Sequence, residues 1–128
     1  MNIELEQQLY NLGPILYQEK DLLMNKTCMC WGFECPNEWF SLLKDLTIKI
    51  EEINNKYKGK YEYIAHQVKA KFGSLRFYGE INVLITNPTD SEIEFANKLS
   101  DYIFNEILDT EEKSLNIAVT HNISSRKL

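Results

Sequence analysis

Six apolar residues, Trp39, Leu43, Leu46, Ile50, Ile53 and Tyr57, recur at alternating steps of four and three. That spacing draws one stripe down a single helix over about 37–57. Pro36 and Asn37 suit its start, and Gly59 suits its stop. Lys44, Asp45, Lys49, Glu51 and Glu52 fall mostly off the stripe, where the expected role is a solvated face. A second stripe, Ile93, Ala96, Leu99, Ile103 and Ile107, predicts a helix over about 91–109. A turn at Asn87-Pro88-Thr89-Asp90 leads into it, with Asp90 or Ser91 as N-cap. Neither helix is stable alone, so the two must share a core with something else. Leu5, Leu9 and Leu12 predict an N-terminal helix ended by Gly13-Pro14, and Ile15 to Met24 reads as a short helix or an irregular strap.

The partner for those stripes is a β-hairpin over about 61–84. Gly73-Ser74 reads as a two-residue type II′ turn, which pairs Phe72 with Leu75 and Lys71 with Arg76. Alternation then places Ile64, Val68, Ala70, Phe72, Leu75 and Phe77 on one face. Tyr63, Gln67, Lys69, Lys71, Arg76 and Tyr78 fall on the other. Leu115, Ile117 and Val119 alternate with polar residues and predict a third strand at about 114–120. The expected fold is α+β: a small antiparallel sheet packed on two long amphipathic helices with an N-terminal helix, all one domain over 1–128.

The chain has 128 residues and a net charge of −5, so as a whole it does not attract nucleic acid or an acidic membrane surface. Any anion site must therefore be local. No apolar run approaches the roughly 20 residues of a bilayer span, and Met1 to Glu6 has neither the basic nor the apolar region of a signal peptide. The expected location is cytoplasmic. Three cysteines make an odd count, which argues against a disulfide framework.

Catalytic chemistry finds little to work with. Cys28, Cys30 and Cys35 could offer thiolates to zinc with His66 or His121 as a fourth ligand, but the spacing is not a Cys-x2-Cys knuckle and reduced, buried thiols are the competing reading. His66 faces the apolar side in the strand reading, a poor place for a base. The paired carboxylates Glu51-Glu52 and Glu111-Glu112 are expected on solvated helix faces, and no glycine-rich phosphate loop is present. The expectation is a protein with no catalytic residue and no cofactor. The strongest chemical signal is the cationic hairpin face. Lys69, Lys71 and Arg76 can hold a phosphate by charge-assisted hydrogen bonds. Tyr63, Tyr78 and Trp31, from a chain with seven Tyr, six Phe and two Trp, can stack on a base, and Gln67 lies on the same face. The competing reading is that Glu34, Glu38 or Glu80 neutralises these cations internally.

Thr27-Cys28-Met29-Cys30-Trp31-Gly32-Phe33-Glu34-Cys35, followed by Trp39 and by Gln67 to Tyr78, resembles a group of small phage and prophage proteins of uncharacterised function. The resemblance runs from about Tyr10 to Leu108. The chain departs from that group at Pro36-Asn37-Glu38, at Ala70 and at Ser74, and it lacks a second Cys-bearing module, so no metal role is carried over. The resemblance implies a phage or prophage origin and supplies no activity. In that setting the inventory of cations and aromatics suits a counter-defence protein of the host cytoplasm that sequesters a nucleotide-like host signal, such as an ADP-ribose derivative or a cyclic nucleotide. A small pocket of this kind is expected to be completed in a homo-oligomer. The alternatives are a protein–protein inhibitor of a host defence factor, acting through its acidic surface as a nucleic-acid mimic, and a zinc- or Cys-dependent enzyme.

Overall fold

A computed structural model describes residues 1–22, 29–108 and 116–125, the last segment and Cys30 by backbone alone. Helix α1 (Ile3–Leu12) is followed by a set of turns over 13–22. A 3-10 turn (Met29–Trp31), the short strand β1 (Phe33–Glu34) and a second 3-10 turn (Asn37–Trp39) lead into helix α2 (Phe40–Lys56). Strands β2 (Tyr61–Lys71) and β3 (Ser74–Val83) form the hairpin. Helix α3 (Asp90–Tyr102) continues as a π-helical stretch (Ile103–Leu108), and strand β4 (Asn116–Ser125) follows.

The fold is α+β, and the two stripes behave as their spacing requires. Leu43, Leu46 and Ile50 of α2 join Ala96, Leu99, Ile103 and Ile107 in one buried cluster. The same cluster takes in Tyr61, Tyr63, Ala65, Val68, Leu75, Phe77, Ile81 and Val83 from the hairpin. Each fully buried Leu, Ile or Phe contributes about 1.5–3 kcal/mol relative to an exposed one. The N-cap of α3 is Thr89, one residue before Asp90 and two before Ser91. Its hydroxyl accepts from the Glu92 amide at 3.2 Å while the Glu92 carboxylate accepts from the Thr89 amide at 3.0 Å, a reciprocal capping box. Hydrogen bonding to the Thr89 backbone amide first, and to the Thr89 side chain second, lowers the pKa of the Glu92 carboxyl.

The sheet is mixed rather than antiparallel. Its order is β1-β2-β3-β4. Only the central pair is antiparallel; β1 runs parallel to β2 and β4 parallel to β3. The cause is connectivity. A helix separates each outer strand from the neighbour it pairs with and returns the chain to the same end of the sheet, which makes the pairing parallel.

Glu51 corrects the sequence reading. It is buried rather than solvated, and it accepts hydrogen bonds from the amides of Ile15 at 2.8 Å and Leu16 at 3.1 Å. One turn on, Asn54 Oδ1 accepts from the Tyr63 amide at 2.7 Å. Its Nδ2 donates to the Tyr63 carbonyl and to Glu51, each at 3.0 Å. The Leu16 carbonyl in turn accepts from the Ala65 amide at 2.8 Å. The turns over 13–22 are therefore a strap fastened to α2 and to the edge of β2.

At Ala65–Gln67 the β2–β3 register shifts, leaving His66 as an extra residue in β2. Such a bulge reverses which face each later residue takes. Opposite Ala65, Gly79 carries no side chain because there is no room: a Cβ there would lie 2.6 Å from a Tyr63 ring carbon and 2.7 Å from the Ile64 carbonyl oxygen.

Two substitutions test this arrangement by urea denaturation. Asn54→Ala strands the Tyr63 amide and carbonyl in the core and should cost about 1–3 kcal/mol or more. Gly79→Ala forces the Tyr63 ring or the β2 backbone aside and should cost about 1–3 kcal/mol.

Candidate functional site

The hairpin turn is not where the Gly73-Ser74 signal places it. Phe72 and Gly73 form the turn, with φ of 52° and 76°; two positive φ values mark a type I′ turn. Lys71 consequently pairs with Ser74, Ala70 with Leu75, Lys69 with Arg76, Val68 with Phe77, and Gln67 with Tyr78. The opposed like charges are Lys69 and Arg76, not Lys71 and Arg76. The slip moves each partner by two positions, so facial parity survives. Gln67, Lys69, Lys71, Arg76 and Tyr78 still share the face turned away from the helices.

Lys69, Arg76, Gln67 and Tyr78 are half-buried there, while Lys71 is exposed. Opposed like charges on neighbouring strands weaken the pairing by a fraction of a kcal/mol or more. The internal carboxylates named above do not relieve them. Glu34 stands beside Lys69 in the β1–β2 register, but no described carboxylate lies within 4.0 Å of Lys69, Lys71 or Arg76. Glu80 is engaged elsewhere, 3.1 Å from His66 Nε2. β4, which lies beside β3 with Ala118 opposite Arg76, has no acidic residue in its sequence. Arg76 Nε is buried and has no hydrogen-bond acceptor among the described residues. A guanidinium offers five N–H donors in a fixed fork, and here at least one points at nothing described. Lys71 Nζ lies 5.7 Å from the Phe72 ring centroid, a cation–π contact that leaves its charge open to solvent.

Two of the seven expected ligand residues are elsewhere. Tyr63 is fully buried in the core, because the bulge at His66 turns it to the helix side. Its hydroxyl has no described partner, and burial raises its pKa above the ordinary tyrosine value. Trp31 is 60% exposed but lines a separate cleft of about 260 Å3 with Ile3, Glu6, Tyr10 and Asp21. That cleft is acidic: burial, then Glu6, then Asp21 push the Tyr10 hydroxyl up to about 12. Lys20 there is paired with Asp21 at 2.7 Å. Trp31 is thus not part of a phosphate site. The feature missed in the sequence is Phe72, 92% exposed at the hairpin tip. The sequence reading set Phe72 on the apolar face, and a bulky residue rarely takes the positive φ that puts it in the turn.

The thiol and histidine candidates also separate. Cys35 packs in the core cluster as a free thiol. Burial pushes its pKa up to about 12, with Glu34 and Glu6 adding to the rise against the lowering pull of the chain's N-terminal ammonium. Cys28 and the side chains of Cys30 and His121 lie outside the described residues. His66 faces the side opposite the apolar core rather than joining it: Nδ1 is 2.7 Å from Glu19 and Nε2 3.1 Å from Glu80. With both ring nitrogens on carboxylates it holds the strap to the sheet. No group of three or more His, Cys, Asp or Glu among the described residues could hold a metal ion. No helix among them is long and apolar enough to cross a membrane.

A scan of family models, a search of curated proteins and a search of solved structures each find no match to the chain.

The nucleophile in cysteine chemistry is the thiolate. Under native conditions at mildly alkaline pH, Cys35 should therefore alkylate roughly a hundredfold or more slowly than in the denatured chain. Peptide-resolved mass spectrometry reads this for Cys35 separately from Cys28 and Cys30.

Proposed function

We propose that this protein is a non-enzymatic binder that holds a small, phosphate-bearing, nucleotide-like ligand on the outer face of its hairpin. In the phage setting implied by the resemblance, it would sequester a host signal in the host cytoplasm. Lys69 and Arg76 grip the phosphate, Lys71 adds charge at the open end, and Tyr78 with Gln67 contacts the base or ribose. One observation carries the reading: Lys69 and Arg76 stand opposite each other without a described carboxylate between them, and an Arg76 N–H is buried without an acceptor among the described residues. A bound anion would relieve both penalties at once, since hydrogen bonds to a charged group contribute about 1.5–3 kcal/mol each. Sequestration needs affinity groups and no nucleophile–base pair.

The second reading is inhibition of a host protein, and the surface of α3 favours it. Asp90, Glu94 and Asp101 are exposed on that helix and Glu106 just beyond it, a row of acids that could imitate a nucleic-acid backbone.

A melting-temperature screen against ADP-ribose derivatives and cyclic dinucleotides separates the two. At tenfold excess over the dissociation constant, a bound ligand stabilises by about 1.4 kcal/mol, a rise of about 5 °C for a domain of this size. Lys69→Ala and Arg76→Ala should each remove the shift without lowering the melting temperature of the free protein. Lys71→Ala should only weaken it. A flat response across the panel, or a shift that survives both substitutions, refutes the ligand reading and leaves the inhibitor reading.

A further inference from the structure

The two sides of the sheet end differently. On the β2 side the chain covers the edge piece by piece. Asn54 takes both the amide and the carbonyl of Tyr63. The Leu16 carbonyl takes the Ala65 amide. The two residues of β1 pair at Val68 and Lys69. A bulge, a covering strap and a very short edge strand are devices that keep a sheet from pairing with another chain.

On the other side β4 has none of them. It runs ten residues in unbroken register with β3, and among the described residues no strand lies beyond it. About half the backbone N–H and C=O groups of such a strand point away from its one neighbour. Protection by side-chain type is missing too. Residues Asn116–Ser125 include no Asp, Glu, Lys, Arg, Pro or Gly. β2 and β3 by contrast carry Glu62, Lys69, Lys71, Arg76 and Glu80. Ile117, Val119, Thr120 and Ile123 are β-branched and suit a ladder.

We infer that two copies of this chain pair antiparallel through β4, so that two four-stranded sheets become one continuous sheet. Outward backbone groups of an edge strand are completed by another strand, and charge favours a second copy as its source. A strand without charged residues opposes no like charges when it meets itself, in a chain of net charge −5. In sequence β4 follows Asp109, Glu111, Glu112 and Lys113 and precedes Arg126 and Lys127. Antiparallel pairing sets the acidic approach of one copy toward the basic exit of the other, which parallel pairing would not do.

Symmetry narrows the register. A two-fold axis perpendicular to the sheet makes the paired strands antiparallel and keeps both outer faces on one side. Directly opposed residues share a face, so an outer-face residue of one copy must oppose an outer-face residue of the other. The outer-face positions include Asn116, Ala118, Thr120 and Asn122, in register with Ser74, Arg76, Tyr78 and Glu80. The longest ladders with that parity are centred on Thr120 or on His121. The assembly closes at two copies, because the far edge of each sheet is already covered. None of the proposed ligand residues takes part, so pairing and anion binding succeed or fail independently.

Sedimentation velocity over a wide concentration range tests this on the full chain. The weight-average mass of the unaltered protein should climb with concentration and level off at two chains. Thr120→Lys and Thr120→Glu each set like charges at or beside the axis, and each should lower the association constant by about tenfold or more. Both should melt as the unaltered protein does at concentrations where it is monomeric, which separates lost pairing from lost folding. An equimolar mixture of the two variants should dimerise again, since an ammonium then meets a carboxylate across the axis. A monomer at every concentration, growth past two chains, association indifferent to both substitutions, or a mixture that stays monomeric overturns the inference.

Discussion

A buried polar seam along one side of α2 sets the geometry of everything else. Glu51 and Asn54, one turn apart, spend their hydrogen-bonding capacity on backbone: Glu51 on the amides of Ile15 and Leu16, Asn54 on both polar groups of Tyr63. A buried carboxylate is tolerable only when such donors surround it. The seam therefore admits one placement of the strap and one depth of β2 against the helix. From there the constraints run outward. Leu16, held by Glu51, accepts from Ala65 and so occupies the edge of β2 just before the bulge. Glu19, further along the strap, reaches His66 in the bulge itself. The bulge then sends Gln67, Lys69 and Lys71 outward, away from the helices.

The apolar stripes were legible because burial of a helix face has a period, and nothing in the fold competes with it. The hairpin was legible in existence and in facial pattern but not in register. Gly73 can serve a type II′ turn with Ser74 or a type I′ turn with Phe72, and sterics favour the first. The structure takes the second, with Phe72 at positive φ. The two registers differ by two positions, so the cationic face survives the error while its opposed pair changes. Tyr63 was lost to the other face for a different reason: period-2 reasoning has no place for an extra residue, and no Gly or Pro in β2 announces the bulge. Parallel pairing of the outer strands was hidden because alternation within a strand says nothing of the direction of its neighbour.

Glu51 shows a limit of another kind. Charge off an apolar stripe reads as solvated, and the partners that bury Glu51 come from backbone amides 35 and 36 residues away. Amides have no sequence signature. Trp31 and the hairpin cations are similar cases. Whether an aromatic residue joins a basic or an acidic neighbourhood depends on what the tertiary fold sets beside it, here Glu6 and Asp21 rather than Arg76.

The hairpin divides into an anchored half and a costly half. Its base carries the Asn54 bonds to Tyr63, the Tyr61 hydroxyl bond to the Glu92 carbonyl at 3.1 Å, the Leu16–Ala65 contact and the tight Tyr63–Gly79 packing. Its far half carries the opposed Lys69 and Arg76, an Arg76 Nε with no acceptor among the described residues, and the strained, exposed Phe72. On the helix side Val68 opposite Phe77 and Ala70 opposite Leu75 continue the sheet, with Val68, Phe77 and Leu75 fully buried, so the far half stays paired despite these costs. Local penalties of about a kcal/mol each would be removed by single substitutions that leave the core untouched. Their concentration at one end of the hairpin, rather than scattered through the loops, is the pattern on which the proposed ligand site rests.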